Sequence, residues 1–331
     1  MLIVELRFLS SADLPRVCYN SRMKPTMKLT KNAKMFGVIA VIITSISYGL
    51  VPSFSFMSFR IGVETETLLF NKFLYAAVIM WAFIFIRKIN FRFSKKAARM
   101  MVIICAGYIG LSTLLYMSFD YISGSLATIV SFTFPAMIVS IEMITRREPV
   151  RAAKIIAVLL SFAGLMLIVW SPDMHVNLLG VLFAFGSAVA YVVYIFGLSA
   201  KCVKEESTFA IAGYVMLSAA AANFIRCLAS GKPLFVTQPN QIGMMLLLSV
   251  VCVFIAIVCY AIGVRLIGPG NAALINTMEP VLACIFGHFL VGDVLTGIMV
   301  LGSAMVVAAV LITNLPDKHP PEESGSPEER P

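Results

Sequence analysis

Glu279 stands inside an oily run, TMEPVLACIFGHFLVGD (residues 277–293), directly before Pro280. A carboxyl group in such surroundings has two chemical uses: it can titrate, or it can bind a cation or amine. The alternative is an acid satisfied by an interhelical hydrogen bond or by its own proton. In LLFNKFLYAA (68–77), Lys72 is a second charge in an apolar stretch, with Asn71 beside it. It either snorkels, stem in lipid and head in the interface, or faces a cavity, where it holds an anionic group or pairs with Glu279. Tyr48 and Tyr191 are mid-run aromatics that can stack on a ligand, hydrogen-bond to it, or simply pack. Pro135 and Pro280 each remove a backbone donor, kink their helix and free a carbonyl four residues earlier, at Ser131 and Asn276. Those two polar residues either line a cavity or bond between helices.

Other charged residues have local uses. Glu142 is spaced to pair with Arg146 and Arg147 on one helix face. Glu148 and Asp293 are placed to tie loops to helix ends. His288 is either a proton relay or a wetted interfacial residue. No P-loop, Rossmann glycine fingerprint, HExxH or GxSxG is present. The sequence thus offers no site for ATP, no cofactor and no catalytic residue. Seven cysteines, an odd count without a CxxC, read as packing residues and not as a disulfide framework or metal site.

These residues are held by very apolar elements. The chain is 60% hydrophobic and 13% charged, with mean hydropathy +0.92. Soluble domains average roughly 45–50% apolar and about 25% charged. Ten runs are long enough to cross a bilayer: 35–57, 67–86, 99–119, 124–144, 152–170, 178–198, 208–229, 242–262, 271–290 and 295–314. Short links carrying charge, Gly or Pro join them. With the N-terminus inside, nineteen Lys and Arg residues near the spans fall on the cytoplasmic side, and three (Arg60, Arg226, Lys232) fall outside. The basic residues therefore place both termini in the cytoplasm, and the net charge of +9 reflects membrane orientation and not nucleic-acid binding. Residues 1–34 form a cytoplasmic arm with an open choice of start methionine. Residues 316–331 form a Pro/Ser/Glu-rich tail without the makings of a core.

A repeat organises the spans. At an offset of 145 residues, Pro135 matches Pro280, Glu148 matches Asp293, Ser118 matches Gly263, Ala127 matches Ala272 and Gly164 matches Ala309. Near the front of each half the offset is 143, pairing Gly37 with Gly180 and Tyr48 with Tyr191. Phe134 stands where Glu279 does. Five spans per half is an odd number, so the second half enters from the opposite side, and the basic residues change with side. The expected fold is an all-α integral membrane protein: ten transmembrane helices in two inverted five-helix repeats, 35–170 and 178–315. Such repeats recur in secondary transporters, with a binding site near the midplane.

The segments ATIVSFTFPAMIVSIEMITRRE (127–148) and AALINTMEPVLACIFGHFLVGD (272–293) resemble the drug/metabolite transporter superfamily, in its EamA-like branch of ten-helix carriers. The closing helices AVLLSFAGLMLIV (157–169) and GSAMVVAAVLIT (302–313), with SYGLVPSFSF (47–56) early in the chain, fit the same pattern. The likeness covers about residues 35–315. This sequence departs from the family at Tyr48, where Trp is common, at Asp293 in place of Glu, and at Lys72 in place of Arg. The last change trades a planar two-point anion clamp for a point charge. The resemblance implies a multi-pass plasma-membrane (bacterial inner-membrane) carrier, monomeric or homodimeric. Its expected task is to move a small amino-acid-like or drug-like metabolite, as an exporter, by alternating access, with a coupling proton or ion. A non-transporting scaffold or receptor would need a folded extramembrane domain, and the links are too short for one. A membrane enzyme would need clustered acids and histidines at a membrane surface.

Overall fold

The computed structural model describes residues 31–119, 121–122, 124–146, 152–169, 177–292 and 296–314. The described residues form helices and turns, with no strand. The helices are α1 (Lys31–Gly49), α2 (Val51–Arg60), α3 (Thr65–Ile86), α4 (Lys95–Phe119), α5 (Gly124–Ser131), α6 (Phe134–Arg146), α7 (Ala152–Val169) and α8 (Leu178–Ser199). A short α9 (Lys201–Lys204) precedes α10 (Thr208–Ala229), α11 (Pro239–Leu247), α12 (Ala256–Ile267), α13 (Pro269–Asn276), α14 (Glu279–Phe286) and α15 (Gly297–Asn314). A π-helical segment, Leu248–Ile255, joins α11 to α12, and another, Gly287–Val291, ends α14.

Seven helical stretches among the described residues are long and apolar enough to cross a membrane, and two shorter apolar helices accompany them. The expected span 124–144 is not one helix. It breaks at Phe132–Thr133 into α5 and α6, and the chain breaks in the same way at Thr277–Met278 between α13 and α14. Both breaks lie two residues before a proline and are related by the 145-residue offset. The outward faces stay apolar, with Val102, Leu159 and Phe85 all more than half exposed. A surface of this kind needs hydrocarbon around it, because each methylene left in water costs about 0.8 kcal/mol.

The packing is paired. α8 lies along α4 and α12 lies along α1, while α3 packs on α10 and α7 on α15. Small residues set these approaches. A Cβ on Gly37 would come within 2.8 Å of Leu266 and Ile267, and one on Gly180 within 2.8 Å of Tyr121 and Ile122. The two glycines are a sequence-matched pair, and so are their partners. Gly164 and Gly302 face each other so closely that an added Cβ would lie 2.6 Å or 2.5 Å from the opposite carbonyl oxygen. Close backbone approach of this type is how helices gain van der Waals contact in lipid.

Candidate functional site

Glu279 is the first residue of α14, immediately after the break. The break is a tightened turn: the Thr277 and Met278 amides donate three residues back, to Leu274 O (3.2 Å) and Ile275 O (3.1 Å). The Thr277 hydroxyl also donates to Leu274 O at 2.6 Å. Pro280 supplies no amide, so the Asn276 carbonyl lacks its helical donor. Thr133 copies this at the other break, with both its amide (3.2 Å) and its hydroxyl (2.7 Å) on Val130 O.

Asn276 Nδ2 donates to Glu279 Oε2 at 3.1 Å, and Ser45 Oγ donates to Asn276 Oδ1 at 3.3 Å. The mirror position, Ser131, accepts from Ser187 Oγ at 3.1 Å. Each broken helix is thus tied at its last residue before the break, Asn276 to α1 and Ser131 to α8. Among the described residues, Asn276 is the hydrogen-bond partner of the Glu279 carboxyl, and no Lys, Arg or His stands against it.

Tyr48, Tyr108, Tyr191 and Tyr260, from α1, α4, α8 and α12, lie within electrostatic reach of the carboxyl. Tyr191 and Tyr194 share a face of α8, three residues apart. Tyr191 stacks near Tyr260 and near Tyr194, each at 6.1 Å, and Tyr194 meets Tyr108 edge-on at 5.2 Å. Phe134 closes this wall against Tyr191 at 4.3 Å. The position that matches Glu279 in the first half therefore faces the same cluster, as an aromatic ring. The Tyr194 hydroxyl is buried and has no hydrogen-bond partner, whereas the Tyr260 hydroxyl lies toward that of Tyr191. An unmet buried hydroxyl costs about 1–3 kcal/mol, so a ligand that supplies an acceptor gains at Tyr194.

A carboxyl with aromatic rings nearby has a specific chemistry. Ring faces are electrostatically negative and attract cations. The cluster suits an ammonium group or a proton and disfavours an unpaired anion.

The structure places the other sequence candidates elsewhere. Asn71 donates to Thr67 O (2.7 Å) and Leu234 O (2.8 Å), while its Oδ1 is buried and unpartnered. With Thr67 on Pro233 O (2.6 Å) and Gln241 on Ile61 O (2.9 Å), it fastens the 233–241 segment to the start of α3. Lys72 is 7% exposed, with Nζ 5.2 Å from the Phe73 ring centroid, and Phe73 meets Tyr108 at 5.9 Å. Glu142 is buried, its carboxyl seated against Gly270 at the start of α13. His288 is exposed, edge-on to Phe289. Glu148 and Asp293 lie outside the described residues, as do the side chains of Arg146 and Arg147. Among the described residues no cluster of His, Cys, Asp and Glu could hold a metal ion.

Sequence reasoning missed Tyr108 and Tyr260. Both are mid-span tyrosines, a signal it used for Tyr48 and Tyr191. Which face each one takes depends on helix rotation, and apolar-all-round helices do not encode that in their pattern.

The curated relatives agree in kind. A transporter of Bacillus subtilis named YcbK, itself uncharacterized, is 23% identical over 277 residues, 80% of this chain and 88% of that protein. The threonine/homoserine exporter RhtA of Salmonella typhimurium is 26% identical over 243 residues, 72% of this chain and 78% of that protein. One solved crystal structure shares the fold with TM-score 0.70 at 18% identity, over 86% of this chain and 97% of that one. The EamA-like transporter family matches the chain twice, over residues 35–170 and 178–315. With both matches together spanning most of the sequence, this protein belongs to the EamA-like transporter family.

Proposed function

We propose that this protein is a secondary carrier of the plasma membrane that exports a small ammonium-bearing metabolite by alternating access. Ten spans form two inverted five-helix repeats, with both termini in the cytoplasm. The duplicated glycine contacts, the two matched helix breaks and the paired packing of α8 on α4 and α12 on α1 support this architecture. The observation that carries the functional reading is the position of Glu279 at a helix break, among tyrosines drawn from four helices of both halves.

Glu279 holds the substrate ammonium and, between cycles, a proton. The tyrosine faces contribute cation–π attraction, worth ~2 kcal/mol when desolvated. The Tyr194 hydroxyl takes an acceptor on the same substrate. Rocking of one half against the other, about the breaks, exposes the site to each side in turn. The name of the RhtA relative makes a hydroxylated amino acid a first substrate to try. The test compares metabolites inside and outside cells in which the protein is deleted or overproduced. An amine or amino acid that accumulates outside on overproduction and inside on deletion supports export. No ammonium compound moving with the protein level would refute the reading.

A further inference from the structure

Lys72 has no role in the cluster around Glu279, yet it is buried. It is the eighth residue of α3, about 10 Å from the Thr65 end. Its ammonium lies over Phe73, and no carboxylate pairs with it among the described residues; its ionisable neighbour is the Cys252 thiol. An ammonium taken out of water without a counter-charge is costly, and a protein that keeps one usually supplies a partner. Two further features mark the place. Cys252 belongs to the π-helical segment Leu248–Ile255, against which α3 packs. Short π-helical insertions of this kind are frequent at functional sites. Phe73, under the Lys72 ammonium, is also in edge contact with Tyr108 of the central cluster.

We infer that Lys72 is the anchor of an anion subsite, built between α3 and the π-helical segment and adjoining the aromatic wall of the central site. Its ligand is a small carboxylate or comparable anion. That anion is either the substrate's own acid group or a free inorganic anion. The carrier reading bears only on which of these it is. Glu279 and Lys72 then divide the work: one recognises positive charge, the other negative, with Phe73 and Tyr108 between them.

The test uses the full-length protein in lipid nanodiscs, as wild type, Lys72→Met and Lys72→Arg. Thermal unfolding is followed in sodium formate and in equimolar sodium gluconate, whose bulky anion does not fit a packed helix interface. Formate raises the unfolding midpoint of wild type and of Lys72→Arg but not of Lys72→Met. A wild type indifferent to formate, or an equal shift in Lys72→Met, overturns the subsite. The source of the anion is read from L-threonine and 1-amino-2-propanol, which differ only by the carboxylate. If the substrate's acid sits at Lys72, wild type binds threonine more tightly by about tenfold, the value of one charge-assisted hydrogen bond, and Lys72→Met binds the two alike. A formate shift with no preference within the pair assigns the site to a free anion. A formate shift with neither compound bound or carried upholds the subsite and refutes the carrier reading for these probes.

Discussion

Glu279→Gln is the sharpest perturbation of the proposed mechanism, because glutamine keeps the size of the side chain. Its Oε1 can still accept from Asn276 Nδ2, a bond of 3.1 Å in the wild type. The five tyrosine rings and Phe134 keep their places, so cation–π attraction survives. What disappears is the negative charge. A hydrogen bond to a charged group contributes about 1.5–3 kcal/mol, and a neutral one about 0.5–1.5. The difference of about 1–2 kcal/mol weakens binding of an ammonium substrate roughly 5- to 30-fold. Fold stability is unchanged or slightly higher, since an acid without a cationic partner is removed from a buried place. The assay is flux of a labelled amine or amino acid in proteoliposomes, from mildly acidic to mildly alkaline pH, beside thermal unfolding of the same samples. The variant gives weak transport with a flattened pH profile at full stability. Wild-type flux with a wild-type pH profile would refute the assignment of Glu279 as the shared proton and ammonium site. A variant that fails to fold would show that the acid is structural.

Other outcomes follow from single contacts. Tyr194→Phe removes a buried hydroxyl that has no partner; transport falls while the unfolding midpoint holds or rises, and a lowered midpoint would mean the hydroxyl was bonded. Gly270→Ala drives a methyl group into the Glu142 carboxyl, costing about 1–3 kcal/mol as overpacking; adding Glu142→Ala restores much of the loss in thermal unfolding, and additive losses would argue against that contact. Gly164→Val places side-chain atoms against the backbone of α15, which cannot swing aside as a flexible side chain can; the unfolding midpoint drops more than for Gly270→Ala. Lys232 pairs with Glu64 at 2.8 Å, and this bond raises the Lys232 pKa above the ordinary 10.5. A raised folded-state value gives stability that is complete below the ordinary lysine pKa and lost as pH rises through the folded one. The midpoint difference between wild type and Lys232→Met is therefore flat near neutrality and closes in strong alkali.

Much of the fold was legible in the residues themselves. Composition alone required a hydrocarbon environment, because too few charges exist to cover a water-facing surface. The repeat offsets pair Pro135 with Pro280 and Gly37 with Gly180 from the residues alone. The prolines mark where the helical ladder loses a donor, because a missing amide is a local, covalent fact. Glu279 announced itself because a carboxyl in an apolar run has few bland explanations.

What the residues did not reveal depends on rotation and neighbours. Helices that are apolar on nearly every side carry no stripe to say which face turns inward, so the convergence of Tyr48, Tyr108, Tyr191, Tyr194 and Tyr260 emerges only when α1, α4, α8 and α12 are packed together. The same holds for Asn71 and Lys72. They are adjacent in sequence but about 100° apart around α3, and packing gives them different tasks. Asn71 fastens a loop, while Lys72 lies buried over Phe73. Sequence determined which groups were available and where the chain would bend. The tertiary structure decided which of those groups meet, because in a bundle of uniformly apolar helices side-chain shape and close backbone contact, not hydrophobic patterning, set each helix's rotation.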